Sequence, residues 1–208
     1  MDIDKFLDTE NKYFKKFRSK ILQPFLKLLY KDHITANYIT NLRLILAIIF
    51  FLIFNRYRTA SLLVISIALL LDLLDGPVAR YEHFSSDRGK FLDMVVDSIS
   101  YLMIIFTFAY FNVNSVLIAV HAVAINYAYL FAIIKKNELK KSDWIIHPTA
   151  NSTYLKLLPV TAFYAFHLFG INYLELSLYI ATSLCILAFA YYYIALQIRW
   201  TKTHGKHF

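Results

Sequence analysis

What most constrains this chain is a succession of apolar stretches, each close to the roughly 20 residues that a helix needs to cross a bilayer. Inside hydrocarbon no water is present to satisfy amides and carbonyls, so a stretch of this length must close its backbone hydrogen bonds within itself as an α-helix. Six spans are expected, from Tyr38 to Asn55, Ala60 to Tyr81, Gly89 to Phe111, Val116 to Ile134, Tyr154 to Ile171 and Leu174 to Trp200. Composition agrees: 59% of the 208 residues are hydrophobic and 17% charged, against about a quarter charged in soluble domains. The expected fold class is an all-α membrane protein with six transmembrane helices.

A net charge of +8 would suggest nucleic acid as a partner of a soluble protein. Here the basic residues fall between apolar runs, where they act as topology signals instead, and no nucleic-acid partner is expected. One side of the membrane would hold the basic N-terminal segment, Arg80, Arg88 and Lys90, then Lys135, Lys136, Lys140 and Lys141, and finally Arg199, Lys202 and Lys206. The other would hold only Arg56 and Arg58. Positively charged flanks stay cytoplasmic, which predicts a multi-pass protein with both termini, and the connection between spans two and three, on the cytoplasmic side. Residues 1–33 form a separate juxtamembrane segment, 34–200 the transmembrane domain, and 201–208 a cytoplasmic tail. Within the first segment Phe14, Phe17, Ile21, Phe25 and Leu28 recur at helical spacing, with Lys15, Lys16, Lys20, Lys27 and Lys31 largely off that stripe. This pattern predicts an amphipathic helix at the membrane interface, bent or divided at Pro24. No cleavable signal peptide is expected, because these residues are charged throughout and lack an apolar core. The single cysteine, Cys185, excludes an intrachain disulfide and any metal site built from several cysteines.

Polar turn residues join most spans, as in Asn55-Arg56-Tyr57-Arg58 and Asn112-Val113-Asn114-Ser115, while Lys135 to Ser152 reads as a longer connection. Acidic residues inside the spans are concentrated in spans two and three: Asp72, Asp75, Asp93 and Asp97. A carboxylate at membrane depth is costly, so each of these marks a functional hypothesis. Asp72 and Asp75 are three apart and Asp93 and Asp97 four apart, so each pair shares one helix face. A short connection makes the two helices antiparallel neighbours whose acidic faces can meet. Four converging carboxylates would suffer desolvation and mutual repulsion, which divalent metal relieves. Oxygen-only ligation favours magnesium or manganese, and four carboxylates suit a pair of ions able to clamp a pyrophosphate.

The chain has only four glycines, where average usage would give about fifteen, and two of them, Gly76 and Gly89, flank the acidic pairs. Ala79 continues the small surface one turn beyond Asp75. These residues either leave a slot for a flat base or ribose between helices, or let the helices pack closely. Pro77 removes one backbone hydrogen bond beside the aspartates, which predicts a kink.

Asp72-Leu-Leu-Asp75-Gly76-Pro-Val-Ala79-Arg80, then eight residues, Gly89, three residues, Asp93, three residues and Asp97, resembles the signature of the CDP-alcohol phosphotransferase (phosphatidyltransferase) family. Eight specified residues fall in a 26-residue window, within a chain of the expected six spans. Ile34 to Arg43 is also similar to the stretch opening the family's first span, with Ala36 where proline is common. The resemblance implies an enzyme of phospholipid synthesis that transfers a phosphatidyl group from CDP-diacylglycerol, or its ether-lipid analogue, to a small alcohol acceptor and releases CMP. The reverse partition, from a CDP-amino alcohol to diacylglycerol, shares the signature. It also implies a homodimer.

By the same resemblance Asp72, Asp75, Asp93 and Asp97 would hold Mg2+ or Mn2+, with Asp97 also serving as general base. Gly76, Ala79, Arg80 and Gly89 would meet the CDP moiety, with Asn37, Thr40 and Arg43 completing its pocket. Arg80 would bridge the donor phosphates or snorkel from its helix end, and Arg43 would contact the nucleotide or anchor topology. Lys135, Lys136 and Lys156 would bind the phosphate of an acceptor such as glycerol 3-phosphate or inositol phosphate, or act as positive-inside anchors. His121 and His167 lack an acidic companion on the same turn and read as hydrogen-bonded core histidines. A divalent-cation transporter is the alternative of another class; it explains the carboxylates, but not Gly76, Ala79, Arg80 and Gly89 at their spacings.

Overall fold

The computed structural model describes residues 35–81, 87–140 and 150–204. The amphipathic segment expected over 1–33 and the last four residues of the tail lie outside the described residues. Among these, every regular element is helical: α1 (Ala36–Ile53), α2 (Arg58–Tyr81), α3 (Asp87–Phe106), a 3-10 helix (Thr107–Phe111), α4 (Ser115–Lys140), α5 (Ala150–Phe169) and α6 (Leu174–His204). Four stretches are long and apolar enough to cross a membrane: Ala36–Ile53, Phe91–Phe111, Ser115–Ile134 and Leu174–Ile198. The outer faces of the first, third and fourth of these carry Leu52, Val116, Leu176 and Leu187, each more than half exposed. Such a surface suits lipid rather than water, and with the four spans it makes this a multi-pass membrane protein.

The chain forms two compact units, residues 1–103 and 104–208. In the first, α1 begins at Thr35, whose side-chain oxygen accepts a hydrogen bond from the Tyr38 amide at 3.3 Å. This satisfies one of the amides left over at a helix start. Ile39, Arg43, Ala47 and Phe50 are buried along one face of α1, following the three-and-four spacing of a helical stripe. After the turn at 54–57, α2 packs back against α1. Ile39 meets Val78, with Ala36 and Leu71 packed around them. Phe50 and Phe54 stack edge to face at 5.4 Å near the turn. α2 continues through Pro77.

The second unit is built around α4 and α6. Ile118, His121, Ile125, Ala128 and Ala132 are buried on α4, opposite Leu174, Leu178, Ala181, Thr182 and Cys185 on α6. The small residues let two backbones approach, which is how helices associate where lipid tails cancel any hydrophobic drive. At the centre His121 Nδ1 lies 3.0 Å from Thr182 Oγ1, both side chains buried. His167 donates from Nδ1 to the Phe163 carbonyl at 2.8 Å, since a carbonyl can only accept. α5 packs on α6 and ends at Gly170, whose φ of 70° is the left-handed conformation natural to glycine.

Several boundaries depart from the hydropathy reading. Lys135 to Lys140 continue α4, and α5 begins at Ala150 rather than Tyr154, so both ends of the stretch expected as a connection after span four are helical, while residues 141–149 lie outside the described residues. Lys, Glu and Ala are strong helix formers, so the hydrogen-bond ladder outlasts the apolar run. α6 also takes in Thr201 to His204, beyond the end of the apolar run. The third span finishes as a 3-10 turn closed by Asn112 in the left-handed conformation, φ 58°.

Thr182→Val keeps the volume but removes the hydroxyl beside His121, and is expected to cost about 1 kcal/mol, the scale of interhelical hydrogen bonds in membranes. Thr182→Ser should cost less. Thermal unfolding of the detergent-solubilised protein reads both.

Candidate metal centre

Three helices of the first unit converge on one charged cluster. Asp72 comes from α2, Asp93 and Asp97 from α3, and Arg43 from α1. The four-residue spacing of Asp93 and Asp97 turns both carboxylates to one face, and the antiparallel return of α2 on α1 brings Asp72 to the same place. Arg43 Nη2 lies 2.5 Å from Asp72 Oδ1 and Nη1 lies 2.7 Å from Asp93 Oδ1. Nη2 also contacts Asp97 Oδ1. The guanidinium thus spends both terminal nitrogens on three carboxylates.

Burial is uneven within the cluster. The Arg43 side chain is 3% exposed, whereas those of Asp72, Asp93 and Asp97 are 37–39% exposed. Arginine closes the floor of the site and the carboxylates form an open rim. Oxygens from the three aspartates lie within 4.8 Å of one another, close enough to share one ion. Their formal charge exceeds that of the guanidinium by two. Hard oxygen donors, a deficit of two charges and convergence from separate helices all suit a divalent cation of the magnesium or manganese kind. The residues present therefore fit the metal expected from the sequence.

The remaining site residues are distributed as follows. Asp75, Gly76, Ala79 and Arg80 follow Asp72 along α2, and their side chains lie outside the described set. Gly89 is half-buried on α3, one turn before Asp93. Thr40 is buried one turn before Arg43, and its hydroxyl donates to the Ala36 carbonyl at 3.1 Å. Asn37 is exposed near the start of α1. Lys135 and Lys136 belong to α4, and their side chains also lie outside the described set. Lys156, in the second unit, places its ammonium 5.7 Å from the centre of the Tyr129 ring, a cation–π distance. Among the described residues, the aspartate trio is the one group of acidic, histidine or cysteine side chains placed to hold a metal.

The counter-ion role of Arg43 is the feature that sequence reasoning missed. Its signal was an arginine set among Leu42, Leu44 and Ile45 within an apolar span. An ionisable group at such a position calls for a partner of opposite charge, and the aspartates of the neighbouring spans were the candidates.

A family model described as CDP-alcohol phosphatidyltransferase matches residues 33–201. The match covers most of the chain, including all four helices of membrane length, and this protein belongs to that family of transferases for phosphate-containing groups. Its chemistry is therefore phosphatidyl transfer from a CDP-linked donor in lipid synthesis. No curated protein matches the chain.

Asp72→Asn and Asp93→Asn each keep the side-chain volume while removing one charged ligand, and should weaken Mn2+ binding by about tenfold or more, because affinity follows ligand charge. Glu175→Gln, at the exposed start of α6, should leave it unchanged. Electron paramagnetic resonance of free Mn2+ measures all three.

Proposed function

We propose that this enzyme transfers the phosphatidyl group of CDP-diacylglycerol, or of an ether-lipid analogue, to a small alcohol, with glycerol 3-phosphate or inositol phosphate as the acceptor. The observation that carries the proposal is the convergence of Asp72, Asp93 and Asp97 from two helices inside a chain of this family. Asp75 stands three residues from Asp72 on α2, spacing that supports its inclusion as a fourth ligand. Divalent ions held by Asp72, Asp75, Asp93 and Asp97, most simply a pair, would neutralise charge on the donor pyrophosphate and on departing CMP.

The chain's own residues account for the remainder. Asp97 receives the proton of the acceptor hydroxyl as that oxygen forms its bond to the lipid-linked phosphorus, and the bond from this phosphorus to the CMP oxygen breaks. Asp97 lies two turns along its helix from Gly89, roughly 12 Å, a depth suited to a headgroup entering from the cytoplasmic boundary. Gly76, Ala79 and Gly89 form a small-residue surface that admits cytidine close to the helix backbones. Arg80 meets the donor phosphates, Asn37 and Thr40 line the nucleotide side at the start of α1, and Arg43 supports the site from beneath the carboxylates. Lys135, Lys136 and Lys156 provide positive charge for a phosphorylated acceptor.

In this reading α2 and α5 join the four membrane-length stretches to give six spans, preceded by the amphipathic interfacial helix. Both termini and the mouth of the site face the cytoplasm, supported by the Lys and Arg asymmetry of the flanks. Two copies associate as a homodimer.

Purified protein given CDP-diacylglycerol and Mg2+ or Mn2+ should release CMP only when an acceptor is added, with glycerol 3-phosphate, inositol phosphate, inositol and serine assayed separately. Asp97→Asn should lower that release by about 10²–10⁴-fold, the usual contribution of a general base. CMP should also raise thermal stability only when the metal is present, a response that a cation transporter would not give. Release that is absent with every acceptor would exclude phosphatidyl transfer in this direction.

A further inference from the structure

The guanidinium of Arg43 sits where a bound cation would sit. Its contacts with Asp72, Asp93 and Asp97 are to Oδ1 atoms, and the same three residues supply the converging oxygens of the candidate metal centre. A carboxylate oxygen held in a charge-assisted hydrogen bond at 2.5–2.7 Å has less electron density left for a metal. A divalent ion drawing on these aspartates must therefore share them with the guanidinium or displace it. With its side chain 3% exposed, Arg43 has little access to water that would take over its charge.

We propose that Arg43 is the resident counter-ion of this centre: it holds Asp72, Asp93 and Asp97 together in the metal-free protein and yields their oxygens when a divalent ion binds. Metal loading is then an exchange of one cation for another. The inference rests on the reading of the trio as a metal centre and adds a positioning residue to it. Two consequences follow from the electrostatics. Without Arg43 the metal-free site contains three half-buried carboxylates facing one another, so the protein loses stability chiefly when metal is absent. Without Arg43 the metal also meets no competitor and a more negative site, so it binds more tightly. Apparent affinity is the intrinsic affinity reduced by the fraction of protein whose site is open.

This role differs in sign from the other two an arginine can have here. A helix staple with no relation to the metal would, when removed, lower stability equally with and without Mn2+ and leave Mn2+ affinity unchanged. A ligand for the donor phosphates would, when removed, weaken CMP binding and leave Mn2+ affinity in the absence of nucleotide unchanged.

The test uses the full chain in detergent at pH 8 as wild type, Arg43→Met and Arg43→Lys. Free Mn2+ is followed by electron paramagnetic resonance, and thermal unfolding is recorded in EDTA and in saturating Mn2+. Arg43→Met should bind Mn2+ about tenfold more tightly, a change of about 1.4 kcal/mol. Its melting temperature should fall by several degrees in EDTA and recover most of that loss in Mn2+. Arg43→Lys keeps the charge but loses the planar fork that engages several carboxylates at once, so its Mn2+ affinity should rise by a smaller factor, about threefold. It carries the test by itself if Arg43→Met does not fold. Unchanged or weaker Mn2+ binding in the variants, or equal stability losses with and without Mn2+, would overturn the counter-ion role while leaving the metal centre standing. Absence of saturable Mn2+ binding in the wild type would instead overturn the metal centre itself, and this inference with it.

Discussion

The first unit depends on one electrostatic arrangement, the guanidinium of Arg43 set among Asp72, Asp93 and Asp97. An isolated aspartate or arginine at the middle of a membrane helix costs about 2.5–3.5 kcal/mol on the insertion scale. Arg43 on α1 and Asp93 and Asp97 on the stretch from Phe91 are charges of this kind, and α2 brings Asp72 to meet them. Pairing among the three helices relieves that cost. The same contacts agree with the rotation of α1, since the face bearing Arg43 also buries Ile39, Ala47 and Phe50.

The second unit shows how helices associate without that device. Its α4 and α6 meet through Ala128, Ala132, Ala181 and Cys185, with one buried polar pair between His121 and Thr182. Small side chains bring backbones together so that dispersion contacts accumulate, and the histidine–threonine pair fixes the register. Phe131, Phe189 and Tyr193 extend the contact toward the ends of the helices. Charge organises one unit and shape organises the other. This division suits a protein in which the charged cluster lies in one unit and the second supplies a well-packed membrane body.

Phosphatidyl transfer places opposite demands on such a site. The CDP-linked donor is anionic, so positive charge must meet it, yet the carboxylates of the candidate metal centre are themselves negative. A buried arginine beneath an acidic rim moderates this conflict, because it lowers the net negative charge of the site from within. The exposures of the two partners, 3% for the arginine and 37–39% for the aspartates, express that division directly.

Much of this was legible in the amino-acid sequence. Helicity and membrane solvent follow from run length and composition, because a backbone in hydrocarbon has few ways to satisfy its hydrogen bonds. Asp72, Asp93 and Asp97 declared themselves by their cost in an apolar run, and the turns around Asn55 and Asn112 by their polar residues. Helix ends were less legible at Lys135 to Lys140 and at Ala150, because hydropathy reports the solvent around a segment and not the hydrogen-bond ladder within it. Local patterns of spacing and polarity specify the helices, their membrane setting and the acidic signature. That Arg43 belongs to the aspartates emerges in the folded chain alone. Two of those partners stand 50 and 54 residues away along the chain, and a charge seeking its counter-ion is satisfied by proximity in space, which local spacing does not encode.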